Sequence, residues 1–216
     1  PGLSGVRVEG ERLHCGAGAP LRQVAHAARE AGLTGLEFLE GIPGSVGGAL
    51  RMNAGAMGGW IFDRVETVRY LTPMGEIREI AGAEAGAVYR GCPLFPANVA
   101  LGAVLRGEPA PGDQIAARMQ AGNQKRWTSQ PRQPSAGCTF KNPAPDRPAG
   151  RLLDSLGLKG TRVGGAMISD VHANFFVNTG PASARDVLDL IDLARSRVRE
   201  ACGIELEPEV EIVGED

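Results

Sequence analysis

The sequence lacks the features that mark several classes of protein. Its 23 basic and 25 acidic residues give a formal net charge of -2, and no basic tract could neutralise a run of phosphates. Nucleic acid is therefore not an expected partner. No apolar run is long enough to span a bilayer, so no membrane partner is expected either. No repeat of fixed period is visible.

Cysteines are few and far apart. No two of them have the spacing typical of zinc sites or of small disulfide scaffolds, so no metal is expected. Scattered thiols are typical of a reducing compartment, and we expect a cytoplasmic protein. The four are Cys15, Cys92, Cys138 and Cys202.

Glycine, in contrast, is abundant. The chain has 31 glycines in 216 residues, and 43% of its residues are hydrophobic, enough for one large domain or two smaller ones. Glycine weakens helices and strands unless the backbone needs a positive φ or a close approach. Clusters of glycine therefore indicate special backbone geometry.

Hydrophobic periodicity predicts the elements of the first half. Alternation from Val6 predicts two strands joined at Gly10, and the spacing over residues 20–32 predicts an amphipathic helix. Residues 64–71 and 76–80 predict a hairpin, and residues 99–105 predict one more strand.

A Pro/Gly break at residues 107–112 predicts a domain boundary between residues 112 and 113. A helix capped by Asp113 follows, and residues 128–150 are expected to form loops. The remaining predictions are a short helix at 151–156, strands at 166–168 and 173–177, a long helix at 181–202 ended by Gly203, and a last strand at 207–213.

Seven glycines fall between residues 36 and 59, too many for a regular element and in too apolar a setting for an exposed linker. We expect a buried loop system that faces a ligand. Consecutive amides with little side-chain cover can converge on anionic oxygens, and small residues let a flat ring lie against the backbone. The alternative is a set of tight turns beneath a sheet, which is common for a lone glycine cluster.

The block from Leu36 to Ala49, followed by Met52-Asn53-Ala54-Gly55-Ala56, resembles the second flavin-contacting segment of the UDP-N-acetylenolpyruvoylglucosamine reductases. The resemblance continues in order through residues 89–90, 135–143, 152–154, 164–165, 172–175 and 207–210. It implies an α+β protein. A vanillyl-alcohol-oxidase-type FAD-binding domain would occupy residues 1–112. An α+β substrate-binding domain would occupy residues 113–216, and its last strand could return to the first domain.

The resemblance also implies the chemistry. FAD and NADPH would be the cofactors, and UDP-N-acetylenolpyruvoylglucosamine would be reduced to UDP-N-acetylmuramate for peptidoglycan synthesis. The flavin carries the redox step, while the protein positions the substrate and supplies a proton. A monomer is expected.

Three residues match the family's catalytic positions. Cys138 stands where the family has a general acid, commonly serine and in some members cysteine; a thiol, with a pKa of about 8.5, donates a proton far more readily than an alcohol. Arg90 would neutralise the charge that develops on the substrate, and Glu209 would share a proton with the substrate carboxylate or orient it. The alternatives are a small buried hydrophobe for Cys138, a surface ion pair for Arg90 and a solvated side chain for Glu209. We favour the acid for Cys138 because it is expected in a loop outside the core.

Further binding residues follow from the same resemblance. For the diphosphate, Arg132 and Lys141 are additional candidates, although exposure is the ordinary fate of such side chains. For His172 the alternative is a packing residue. The expected cofactor-binding residues are Gly41, Ile42, Pro43, Gly44, Ser45, Gly47, Gly48, Asn53, Gly55 and Ala56, and the expected substrate-binding residues are Tyr89, Arg90, Gln130, Asn142 and His172.

The resemblance lacks one part. The family has an N-terminal unit with its own glycine-rich loop for the FAD pyrophosphate, and nothing in the sequence corresponds to it. We therefore expect an incomplete FAD-binding domain that binds FAD weakly or not at all by itself. Two other functions stay open: an FAD-dependent oxidase of the same fold class, and a non-catalytic module that binds a UDP-sugar.

Overall fold

The computed structural model describes residues 2–214, which form two compact units divided between Lys125 and Arg126. The predicted boundary between residues 112 and 113 falls at the start of an 18-residue helix, α3 (Gly112–Ser129), whereas the units divide near its end. The two positions differ because a Pro/Gly break marks only where a helix starts, whereas most of α3 belongs to the first unit. None of the described helices is long and apolar enough to cross a membrane.

The strands of the first unit are β1 (Val6–Glu9), β2 (Arg12–Gly16), β3 (Leu33–Thr34), β4 (Gly55–Ala56), β5 (Gly59–Trp60), β6 (Val65–Leu71), β7 (Ile77–Ala81), β8 (Val99–Arg106) and β9 (Glu108–Pro109). Five of them form an antiparallel sheet with the order β1-β2-β8-β6-β7. Two short pairings, β3 with β9 and β4 with β5, lie outside this sheet.

Two further helices cover this sheet: α1 (Leu21–Glu30) and α2 (Val46–Met52). In α1 the side chains of Leu21, Val24 and Ala28 recur at helical spacing and are buried in a core shared with the sheet. The predicted strands, hairpin and first helix are confirmed. The expectation of an irregular loop throughout residues 36–59 is wrong, because α2 forms within it despite Gly47 and Gly48.

The elements of the second unit are β10 (Ser135–Cys138), α4 (Ala149–Ser155), β11 (Arg162–Val163), β12 (Ala166–Ile168), β13 (Phe175–Asn178) and α5 (Ala184–Cys202). The strands form an antiparallel sheet with the order β10-β13-β12-β11. Helix α5 begins with a capping box, in which the Ser183 hydroxyl accepts from the Asp186 amide at 3.1 Å and the Asp186 carboxylate accepts from the Ser183 amide at 3.0 Å.

The core of this unit lies between α5, α4 and the sheet, with Phe140, Leu153, Ile168 and Leu190 fully buried. Two predictions are wrong here. Residues 135–138 form a strand where loops were expected, and residues 207–213 form no strand beyond a single bridge from Pro208 to Phe140. The mixture of helices and antiparallel strands in both units confirms the α+β class.

Candidate active site

The glycine-rich loop at residues 41–45 leads into α2 and runs beside residues 16–20. The amide of Val46 donates to the carbonyl of Ala19 at 2.9 Å, and the amide of Gly47 donates to the carbonyl of Ala17 at 2.7 Å. Amides of the glycine-rich loop were expected to be able to converge on anionic oxygens, but these two are engaged within the protein. They hold the start of α2 against the neighbouring loop.

Another part of this loop does present uncovered backbone. Gly44 and Gly48 are exposed. A Cβ at Gly44 would meet no atom within 4 Å, and at Gly48 it would meet only the Ser45 hydroxyl at 3.9 Å. Open space against bare backbone is what a flat ring system requires, so these residues fit a bound flavin.

Asn53 follows α2 in the left-handed conformation, with φ 41°. Its side chain is buried and joins two segments: the amide nitrogen donates to the carbonyl of Val88 at 3.0 Å, and the amide oxygen accepts from the amide of Phe62 at 3.4 Å. Asn53 therefore holds the segment before Tyr89 in place.

Gly55 and Ala56 form β4, which pairs with β5. A Cβ at Gly55 would lie 2.3 Å from Cε3 of Trp60, so only glycine admits that indole ring.

Tyr89 and Arg90 occupy a tight turn whose flanking residues, Val88 and Gly91, hydrogen bond to each other in both directions. Arg90 has φ 55°, a left-handed conformation that few non-glycine residues adopt. Its guanidinium carbon lies 5.2 Å from the Tyr89 ring centroid and 5.5 Å from the Trp60 ring centroid. Sequence reasoning missed Trp60, because a single aromatic residue between glycines and an apolar pair carries no pattern.

A cleft of about 430 Å³ opens beside this turn. It is lined by Asn53, Trp60, Phe62, Asp63, Gly82, Ala83, Ala87, Val88 and Tyr89. The cleft gives the first unit a concave surface next to the two aromatic rings.

Cys138 is the last residue of β10 and pairs with Phe175 across a register shift. Its expected loop setting is wrong, but it is only half-buried, as a proton donor requires. Gly137 before it has φ 88°, which favours glycine and turns the end of the strand. Burial lowers the pKa of the neighbouring Arg126, and electrostatic interaction with Cys138 opposes that shift. Arg126 carried no sequence signal of its own.

The amide of Glu209 donates to the carbonyl of Thr139, the residue after Cys138, at 2.7 Å. The buried side chain of Asn174 braces the same segment: its amide oxygen accepts from the Phe140 amide at 3.0 Å and its nitrogen donates to the Phe140 carbonyl at 2.8 Å. The structure thus places the backbone of residue 209 beside the segment that follows Cys138 in the second unit, while Arg90 belongs to the first unit. Asn174 was visible in sequence only as part of the resemblance at residues 172–175.

The remaining substrate candidates are also placed within the second unit. Gln130 lines a groove of about 480 Å³ together with Trp127, Thr128, Pro131, Arg132, Gln133 and Val171. The side-chain oxygen of Asn142 accepts from the amide of Ala149 at 3.0 Å and so caps α4.

His172 packs on Phe175, with ring centroids 5.0 Å apart. Its Nδ1 accepts from the Asn174 amide at 3.2 Å. Burial lowers the pKa of His172, with nearby Lys159 adding to the effect. Lys141, a diphosphate candidate, forms an ion pair with Glu207.

Comparison with known proteins covers both units. Residues 2–81 match the family described as FAD binding domain, and residues 130–213 match UDP-N-acetylenolpyruvoylglucosamine reductase, C-terminal domain. The matches and the open glycine loop together define a flavin-dependent oxidoreductase with FAD as its cofactor.

The reductase from Nitrobacter hamburgensis is 41% identical over 214 residues, covering 99% of this chain and 70% of that protein. The one from Geobacter metallireducens is 47% identical over 208 residues, covering 96% of this chain and 69% of that protein. The crystal structure of UDP-N-acetylenolpyruvylglucosamine reductase from Thermus caldophilus has a TM-score of 0.82 at 43% identity, covering 92% of this chain and 71% of that one. The chain belongs to the UDP-N-acetylenolpyruvoylglucosamine reductase family, which confirms the resemblance.

Proposed function

We propose that this protein reduces UDP-N-acetylenolpyruvoylglucosamine to UDP-N-acetylmuramate with NADPH, as a step in the synthesis of peptidoglycan precursors in the cytoplasm. The observation that carries the proposal is the 41% identity, along 99% of the chain, to a relative that bears this reductase name. The half-buried thiol of Cys138, on the segment to which the Glu209 amide bonds, supports the same chemistry.

Reduction of the enolpyruvyl double bond adds a hydride to one carbon and a proton to the other. Bound FAD supplies the hydride chemistry. The protein must therefore hold the substrate, stabilise the negative charge that spreads onto the substrate carboxylate, and deliver the proton.

Cys138 is assigned the proton. Its Sγ–H would protonate the substrate carbon adjacent to the carboxylate, leaving a thiolate that is reprotonated from solvent. The positive charge of Arg126 interacts with Cys138 and would favour that thiolate.

Arg90 is assigned the charge on the substrate. A guanidinium held in one orientation stabilises a developing carboxylate-conjugated anion without having to reorganise as the charge appears. Glu209 is assigned a shared proton with the substrate carboxylate, since two unprotonated carboxylates would repel each other.

The other assignments concern binding. Tyr89, Gln130, Asn142 and His172 are proposed to contact the substrate, with the loop at residues 41–48 and Asn53, Gly55 and Ala56 against the cofactor. The carbonyl contacts of Val46 and Gly47 point away from a phosphate role and towards a ring resting on Gly44 and Gly48.

The test is NADPH oxidation with and without UDP-N-acetylenolpyruvoylglucosamine, measured on the complete polypeptide that carries this sequence. Turnover that depends on the UDP-sugar is expected. Cys138→Ala should leave bleaching of the flavin by NADPH unchanged and lower product formation at least about a hundredfold, in the range typical of a lost general acid.

Cys138→Ser should retain measurable activity, because a hydroxyl can deliver the same proton. Cys202→Ala serves as the control, since Cys202 is exposed at the end of α5. Normal turnover by Cys138→Ala would refute the assignment of the proton donor, and NADPH oxidation that ignores the UDP-sugar would refute the function.

A further inference from the structure

The guanidinium of Arg90 lies close to two aromatic rings that themselves form a fixed pair. The rings of Trp60 and Tyr89 have centroids 5.6 Å apart and planes at 82°, an edge-to-face arrangement. The Arg90 guanidinium carbon lies 5.5 Å and 5.2 Å from the two centroids, within the range of cation–π attraction to each.

The backbone conformation of Arg90 is itself unfavourable, so contacts elsewhere must hold the residue in the turn. Arg90 adopts φ 55° within the turn closed by Val88 and Gly91, a conformation that disfavours residues with a Cβ. Tyr89 is its neighbour in sequence and moves with the same turn. Trp60, in contrast, lies on β5, so its ring is a reference point outside the turn.

Trp60 is itself held from two sides. Its amide donates to the carboxylate of Asp63 at 2.9 Å, which fixes the start of the following 3-10 turn. Its indole occupies the space that a Cβ at Gly55 would fill, at 2.3 Å from Cε3. The hydrogen bond to Asp63 fixes the backbone of Trp60, and the absence of a side chain at Gly55 leaves a space that the indole fills. The position of the Trp60 ring is therefore well defined.

We propose that Trp60 is a positioning residue for the reaction: it fixes the orientation of the Arg90 guanidinium and so contributes to catalysis through Arg90. The inference rests on the proposed function, in which Arg90 stabilises charge on the substrate. A guanidinium that is already oriented loses less freedom when the charge develops, so the effect falls on kcat more than on substrate binding.

The test uses Trp60→Leu, which removes the ring face, and Trp60→Phe, which keeps an aromatic face. Trp60→Leu is expected to lower kcat about tenfold with KM changed less than about twofold, as for the loss of a partly desolvated cation–π contact. Trp60→Phe should recover most of that loss. Flavin bleaching by NADPH in the absence of substrate should be the same in all variants.

The control is Met74→Ala. Met74 is an exposed apolar residue between β6 and β7, and it lines neither the cleft beside Tyr89 nor the groove that contains Gln130. Its replacement should leave kcat within about twofold of the parent. Circular dichroism and flavin absorbance verify that each variant folds.

A double-mutant cycle identifies the route of the effect. In an Arg90→Lys background, Trp60→Leu should cost less than about twofold, because the planar group it orients is gone. The inference would be overturned if the losses of kcat in Trp60→Leu and Arg90→Lys multiplied fully in the double variant. It would also be overturned if Trp60→Phe and Trp60→Leu lowered kcat equally. If Trp60→Leu does not fold, the same cycle is measured with Trp60→Phe. This variant should lower kcat about threefold when Arg90 is present and should leave kcat unchanged in the Arg90→Lys background.

The two proposals fail differently. If the parent protein shows no turnover of the UDP-sugar, the proposed function falls and this inference falls with it. If the parent turns over and Trp60→Leu matches it, only the role of Trp60 is refuted.

Discussion

The four thiols of this protein should differ in reactivity by orders of magnitude. Burial raises the pKa of Cys15 to about 12. At about pH 8 its thiolate fraction is then about one in ten thousand, against about a quarter for an ordinary thiol with a pKa of about 8.5. Alkylation of Cys15 by iodoacetamide in the native protein should therefore be at least about a thousandfold slower than that of an exposed thiol, before steric access is counted.

Cys92 should also react slowly, because burial raises its pKa and its thiol donates to the Ala85 carbonyl at 3.4 Å. Cys202 is exposed and Cys138 half-buried, so these two should be alkylated first. Peptide mass spectrometry after timed alkylation gives the four rates. Loss of reductase activity should follow modification of Cys138, and the UDP-sugar should slow that modification only.

Two outcomes would refute this reasoning. Labelling of Cys15 as fast as that of Cys202 in the folded protein would contradict the burial of Cys15 in the core of the first unit. Loss of activity that follows alkylation of Cys202 while Cys138 is still unmodified would contradict the assignment of the reactive thiol.

Three further predictions concern residues that sequence reasoning had assigned to ligands. Gly55→Ala should displace the Trp60 ring and lower kcat as far as Trp60→Leu, with no added loss in the double variant; a fall in FAD affinity instead would place Gly55 against the flavin. Asn53→Ala should lower the free energy of unfolding in urea by about 1–2 kcal/mol, because the Val88 carbonyl and the Phe62 amide both lose their bond to the buried Asn53 side chain; an unchanged midpoint would contradict this. His172 has a lowered pKa, so its contribution to stability is present above its ordinary pKa of about 6.5 and is lost as pH falls through the lower folded value. His172→Gln should flatten the fall in melting temperature below about pH 6.5, and an equally steep fall would argue against it.

Local sequence determined the elements whose hydrogen bonds join residues close together in the chain and whose apolar residues recur at a regular spacing. The turn at Gly10, the helix α1 between Pro20 and Gly32, the hairpin β6–β7 and the helix α5 before Gly203 all have their start and stop signals within a few residues. The family resemblance also pointed to Cys138, Glu209 and the glycine loop, because motifs preserve residue identity in order along the chain.

Tertiary structure alone decided what those residues contact. Helix α2 forms in a glycine-rich stretch because carbonyls of Ala17 and Ala19 receive its first amides, and β10 forms because Phe175 pairs with it from 37 positions away. Glu209 reaches the neighbourhood of Cys138 through one hydrogen bond to Thr139, and Trp60 meets Arg90 only because Gly55 leaves space for the ring. Such contacts depend on distances between residues far apart in the chain, and no local period or propensity encodes them.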